Sequence, residues 1–119
     1  MFFCGVAHKG EIIGTAGLTS ISRQHRTAEF SLLIGPEYQG SGLAKAALIR
    51  LLEYGFMRLD LEVIYGEAIN NNVKALACYE DVGFTKEGTL RSRYYKIGKR
   101  YDSTMFSMLK EDFIAGYVS

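Results

Sequence analysis

The spacing of apolar residues changes twice in the middle of this sequence, and that change restricts the fold more than any other feature. Over 26–34, "RTAEFSLLI", Ala28, Phe30, Leu32 and Ile34 alternate with Glu29 and Ser31, the pattern of a strand with one buried face. From Leu43, residues Ala44, Ala47, Leu48, Leu51, Leu52, Gly55 and Leu59 recur at steps of three and four. That is one buried stripe of a helix over 43–58. "EVIYGEAI", 62–69, returns to a short β-rich run. Strand, helix and strand in succession make a crossover unit, so 26–34 and 62–69 are expected as a parallel pair in one sheet.

The flanking segments extend that sheet. "FFCGVAHKGEIIGTAGLTSI" reads as a hairpin, with strands over 2–8 and 11–21 and a turn at Lys9-Gly10. "NNNVKALACYEDVG" reads as an asparagine cap, a helix to about Val82 and a left-handed stop at Gly83. Phe84 opens two further strands folded around Ile97-Gly98-Lys99, the second alternating through Thr104, Phe106 and Met108. The expected fold is α+β (α/β/α-like): a single mixed, mostly antiparallel sheet with a central splayed parallel pair and at least two helices. A length of 119 residues, one proline, and no repeat or low-complexity stretch argue for one domain over 1–119.

Charge and titratable residues exclude several classes. Fourteen basic against 13 acidic residues leave a net charge of +1, without the basic stripe of a nucleic-acid binder. Arg91, Arg93, Lys96, Lys99 and Arg100 are interleaved with tyrosines and read as solvated strand and hairpin residues. The apolar opening "MFFCGVA" is too short to span a bilayer and has no basic residues before it, so the expectation is a cytoplasmic chain without a membrane segment. Cys4 and Cys78 lack metal-site spacing and read as packed, reduced thiols, while His8 and His25 stand alone. No metal is expected.

The loop before the first helix, "PEYQGSGLAKAAL", is the candidate binding element. Gly35 and Gly40 have Walker spacing, but Ser41-Gly42 stands where a lysine and a hydroxyl residue are required. A dinucleotide fingerprint from Gly40 fails at Lys45, where glycine or alanine is needed. What remains is a glycine loop that brings backbone N–H groups to a helix start, where the helix dipole favours an anion.

The segment Gln39-Gly40-Ser41-Gly42-Leu43-Ala44 fits the pattern (Arg or Gln)-x-x-Gly-x-(Gly or Ala) of the GNAT superfamily, the acyl-CoA-dependent N-acetyltransferases. Asn72, Ala75, Tyr79, Gly83 and Phe84 match the family's second pattern, N-x-x-A-x-x-x-Y-x-x-x-G-F. The chain resembles this family along nearly its whole length, most closely the branch of spermidine and ribosomal-protein N-terminal acetyltransferases. One departure stands out: the strand and two helices that usually precede the first hairpin, and help form the acceptor groove, do not appear in this sequence.

The resemblance implies acetyl-CoA as cosubstrate and a primary amine as acceptor. By that resemblance the pyrophosphate sits on Gln39, Gly40, Ser41, Gly42, Leu43 and Ala44, and the pantetheine runs beside Leu33, Ile34, Asn72, Ala75 and Tyr79. Asn72 reads equally as a helix N-cap, and one side chain can serve both purposes. Tyr79 is the expected general acid: it lies two helical turns beyond Asn72 on the same side, and a phenol is protonated at neutral pH. Its alternative is a core tyrosine. Glu29 is the expected base for the attacking amine, with an ordinary surface glutamate as the equal alternative. Glu67 and Glu87 are further candidates for an acceptor site, and Tyr94 and Tyr95 read as packed sheet aromatics, with a place on the acceptor side as their alternative. The competing functional reading is a non-catalytic CoA-binding or interaction module. The opening strand, with Phe2, Phe3 and Val6 and no proline, reads as an unprotected edge and predicts a homodimer; the alternative is a monomer whose C-terminal "DFIAGYVS" folds over that edge.

Overall fold

A computed structural model describes residues 1–39 and 42–118 of the chain. Strands β1 (Phe2–His8) and β2 (Glu11–Ser22) form the first hairpin, and β3 (Thr27–Ile34) follows. Helix α1 (Leu43–Glu53) leads to β4 (Val63–Ile69), and helix α2 (Val73–Val82) leads to the hairpin of β5 (Thr85–Lys96) and β6 (Lys99–Leu109). A third helix, α3 (Lys110–Tyr117), closes the chain. The six strands form one sheet in the order β1-β2-β3-β4-β6-β5. All neighbours are antiparallel except β3 and β4, the parallel pair that the crossover requires.

Both hairpins turn on two residues of positive φ, Lys9-Gly10 and Ile97-Gly98, the left-handed geometry that matches the strand twist. Side-chain parity then assigns the two faces of the sheet. Leu18, Ala28, Phe30, Ile64, Phe106 and Met108 are buried under the helices in one core. Phe30 meets Tyr79 of α2, and Phe56 beyond α1 meets Phe113 of α3. The opposite face carries Glu29, Ser31, Leu33, Tyr65 and Glu67, with Leu33 68% exposed.

Three expectations need correction. The helix read over 43–58 keeps α geometry only to Glu53; Tyr54–Arg58 is a π turn, closed by Leu59 N–H on the Tyr54 carbonyl at 3.1 Å. The inserted residue rotates the buried stripe, so Phe56 is fully buried and Leu59 is exposed. Gly55 fits this turn against the sheet, since a Cβ there would lie 2.7 Å from the Ile64 Cδ1. The C-terminal segment does not cover β1: it is helix α3, seated by Phe113 on Phe56 and by the Tyr117 hydroxyl donating to the Val82 carbonyl. Cys4 is exposed on the edge strand rather than packed, and Cys78 is half-buried; both are free thiols.

Candidate functional site

The site begins where β3 and β4 part. Their pairing runs through Thr27–Val63, Ala28–Ile64 and Glu29–Tyr65 and ends there. At the next position the Phe30 ring lies over Gly66, where a Cβ would come within 2.4 Å of it. The ring is held edge-on to Tyr79 at 5.0 Å and tilted against Phe84 at 4.9 Å. Glycine at 66 is therefore what lets an aromatic wedge occupy the fork.

Beyond the fork the end of β3 borders a cleft of about 620 Å³ with α1 and α2. Leu33, Ile34, Gln39, Gly42 and Ala44 line one side, and Asn72, Ala75 and Tyr79 the other. The two sequence motifs, thirty residues apart, thus meet in one place. Gly40 and Ser41 lie outside the described residues. Leu43 opens α1 but is not part of this lining, and neither is Glu29. The lining also includes Lys45, Lys74, Cys78 and Asp81, which the motifs do not mark.

Gly42 caps α1 in the left-handed region, φ 87°, and a Cβ there would meet no protein atom within 4 Å. A glycine cap with free space beside it is the cradle that a phosphate group at a helix start requires. Gln39 turns its amide inward, donating to the Ile34 carbonyl at 3.2 Å, so it fastens the loop to the end of β3. Asn72 caps α2 by accepting from the Ala75 N–H at 3.2 Å. Lys45 on α1 and Asp81 on α2 form an ion pair at 2.7 Å across the cleft, and this bond raises the lysine's proton affinity. The cradle, apolar walls and lysines suit a long cofactor with an anionic end and a narrow, largely apolar arm.

Tyr79 is 8% exposed, packed by Phe30, Phe84 and Phe106, yet it lines the cleft. Burial pushes its phenol up to about 12. Burial likewise raises the neighbouring Cys78 thiol. On the other face of the sheet, Glu67 accepts from the Tyr94 hydroxyl at 2.5 Å and from the Ser103 hydroxyl. The bond to Glu67 raises the Tyr94 phenol, followed by burial and by the charges of Glu67 and Glu29. Of the three candidate glutamates, Glu67 contacts Tyr94 directly and Glu29 acts on it through charge alone, whereas Glu87 is exposed on β5. Tyr95 is 67% exposed, with the Arg100 guanidinium over its ring. Among the described residues, no group of three or more His, Cys, Asp or Glu is arranged to hold a metal ion, and no helix is long and apolar enough to cross a membrane.

The sequence model of the acetyltransferase (GNAT) family matches residues 1–84, from the first hairpin through both motifs. The chain belongs to this family. Spermidine N(1)-acetyltransferase of Vibrio cholerae is 36% identical over 103 residues, covering 87% of this chain and 60% of the relative. The Escherichia coli enzyme of the same name is 35% identical over 106 residues, covering 89% of this chain and 57% of the relative. The dodecameric structure of spermidine N-acetyltransferase from Vibrio cholerae superposes with a TM-score of 0.83 at 35% identity, covering 89% of this chain and 62% of that one. The chain thus spans about 60% of the length of the curated relatives it matches. The mixed sheet with its parallel pair is the GNAT fold.

The buried phenol makes a pH prediction. Below pH 10 Tyr79 is neutral in both the folded and the unfolded chain and contributes no pH dependence. Between pH 10 and about 12 the unfolded chain ionises first, so folded stability falls as pH rises. At about pH 11.5 the loss attributable to this residue is on the order of 2 kcal/mol. Urea unfolding of the wild type and of Tyr79→Phe, at about pH 9 and about pH 11.5, should show the variant losing less by that amount. Equal losses in the two proteins would mean that the phenol is not desolvated.

Proposed function

We propose that the chain transfers an acetyl group from acetyl-CoA to a primary amine by direct attack. The observation that carries this reading is the meeting of Gly42 and Ala44 with Asn72, Ala75 and Tyr79 in one cleft at the parted strands. In this reading the first turn of α1 holds the pyrophosphate, and the walls of the cleft hold the pantetheine along β3. Acetyl-CoA supplies the activated acyl group; the remaining work falls to the protein. A backbone N–H of β3 near Leu33 and Ile34 would serve the thioester oxygen, where charge develops on attack. Glu29, at the last paired position before the fork, accepts the proton that the amine must lose. Tyr79 donates its proton to the departing thiolate.

A phenol near 12 is a weak acid for a thiolate whose conjugate acid ordinarily lies near 8.5. A leaving thiolate held in the same cleft would itself be desolvated, which narrows that gap. The chemistry asks for no metal. Tyr79→Phe should cut turnover by roughly 10²–10⁴-fold and leave CoA affinity nearly unchanged. Turnover within twofold of wild type, measured where chemistry limits the rate, would remove Tyr79 from the mechanism.

We place this protein in the cytoplasm, and we assign a homodimer contact to the β1 edge. β1 pairs only with β2, and Phe3 is 52% exposed on it. A dodecameric relative is consistent with association of this fold. Light scattering at tens of micromolar should report a dimer that Phe3→Lys weakens; a monomer would contradict the assignment.

A further inference from the structure

The β5–β6 hairpin carries an open surface depression of about 530 Å³, lined by Thr89, Leu90, Arg91, Ser92, Arg93 and Asp102. A bulge builds it. The register passes from Leu90–Ser103 to Tyr94–Tyr101, so residues 91–93 lie opposite Asp102 alone. Ser92 at the centre has φ 53°, a costly conformation for a residue with a side chain. It is pinned from both sides: its N–H donates to the Asp102 carboxylate at 2.8 Å, and Arg100 donates to its carbonyl at 3.2 Å. A bulge fixed in this way re-aims the side chains beside it.

Two consequences follow for charge. Arg91 and Arg93 line this depression with no side-chain ion pair or hydrogen bond among the described residues. The next residue, Tyr94, hydrogen-bonds Glu67, which also accepts from Ser103. Those two donors occupy about half of the roughly four lone-pair positions of a carboxylate, so Glu67 can still accept from an ammonium group. Glu67 follows Gly66 at the fork, and Glu29 is the last paired residue before it. Carboxylates therefore flank the fork on the open face, and Arg91 and Arg93 shortly precede Tyr94, the hairpin residue that contacts Glu67.

We propose that the acceptor is a dipolar amine, a primary amine bearing a carboxylate or phosphate, with its nitrogen at Glu29 and Glu67 and its anion at Arg91 and Arg93. A free polyamine does not fit this arrangement. Its second ammonium would meet Arg91, Arg93, Lys96, Lys99 and Arg100, against which the hairpin offers only Glu87 and Asp102 as carboxylates. The proposal rests on the acetyl-transfer reading above for its location, and binding tests it without turnover.

Calorimetry on the chain saturated with CoA would compare a dipeptide with its C-terminal amide, aminoethyl phosphate with ethanolamine, and spermidine. At least one anionic amine should bind roughly ten- to a hundredfold more tightly than its neutral partner, the range for a charge-assisted hydrogen bond. The pair that shows the difference identifies carboxylate or phosphate as the anion. Arg91→Gln and Arg93→Gln should erase that preference while leaving ethanolamine and CoA binding unchanged, and Arg93→Glu should shift preference toward spermidine. Equal binding of charged and neutral partners, tightest binding of spermidine by the wild type, or binding of no amine would each overturn the proposal. Preference for an anionic amine without thiol release from acetyl-CoA would support it and sink the acetyl-transfer reading alone.

Discussion

The contact between the Phe30 ring and Gly66 sets the position of everything that follows in this chain. Two parallel strands would ordinarily continue pairing to their ends, because an unpaired buried backbone group is costly. Here a ring occupies the space over Gly66, and Tyr79, Phe84 and Phe106 lock the aromatic cluster around it. The strands part, and the β4-facing backbone of β3 past Glu29 is left without a strand partner. Gln39 satisfies one group of this edge, the Ile34 carbonyl. The rest of the edge is available to a ligand that can supply its own amides.

The same cluster links packing to chemistry. Tyr79 is held by three aromatic rings, so its hydroxyl has a fixed position at the cleft, but the burial that fixes it also weakens it as an acid. On the opposite side of the fork, Glu67 accepts from two hydroxyl donors, those of Tyr94 and Ser103. One fork thus presents an apolar, phenol-bearing side and a polar, carboxylate-bearing side.

Much of the architecture was legible because local signals and global fold agree. Lys9-Gly10, the Asn72 cap and Gly83 with φ 115° each mark an element boundary by its own chemistry, and the structure uses each as such. The cleft was legible through motif residues that the fold unites, although Gln39 proves to hold its own loop by its amide. What was not legible depends on tertiary context. The π turn follows from the fit of Gly55 against Ile64, which no periodicity encodes. Helix α3 has no side-chain N-cap and buries only Phe113, so it lacks the usual start signal and stripe. Arg91 and Arg93 read as solvated residues in the sequence, and only the bulge around Ser92 places them on a surface depression. Glu29 and Glu67 flank one fork through a strand pairing that one sequence cannot display.

The central claim is that the unpaired edge of β3 receives the cofactor. Amide hydrogen exchange of residues 31–34, with and without saturating CoA, tests it most directly. Those N–H groups that face β4 should exchange readily in the free chain and slow by about tenfold or more with CoA, while amides paired to β2 change little. Bound CoA with unchanged exchange along 31–34 would contradict the account and place the cofactor elsewhere.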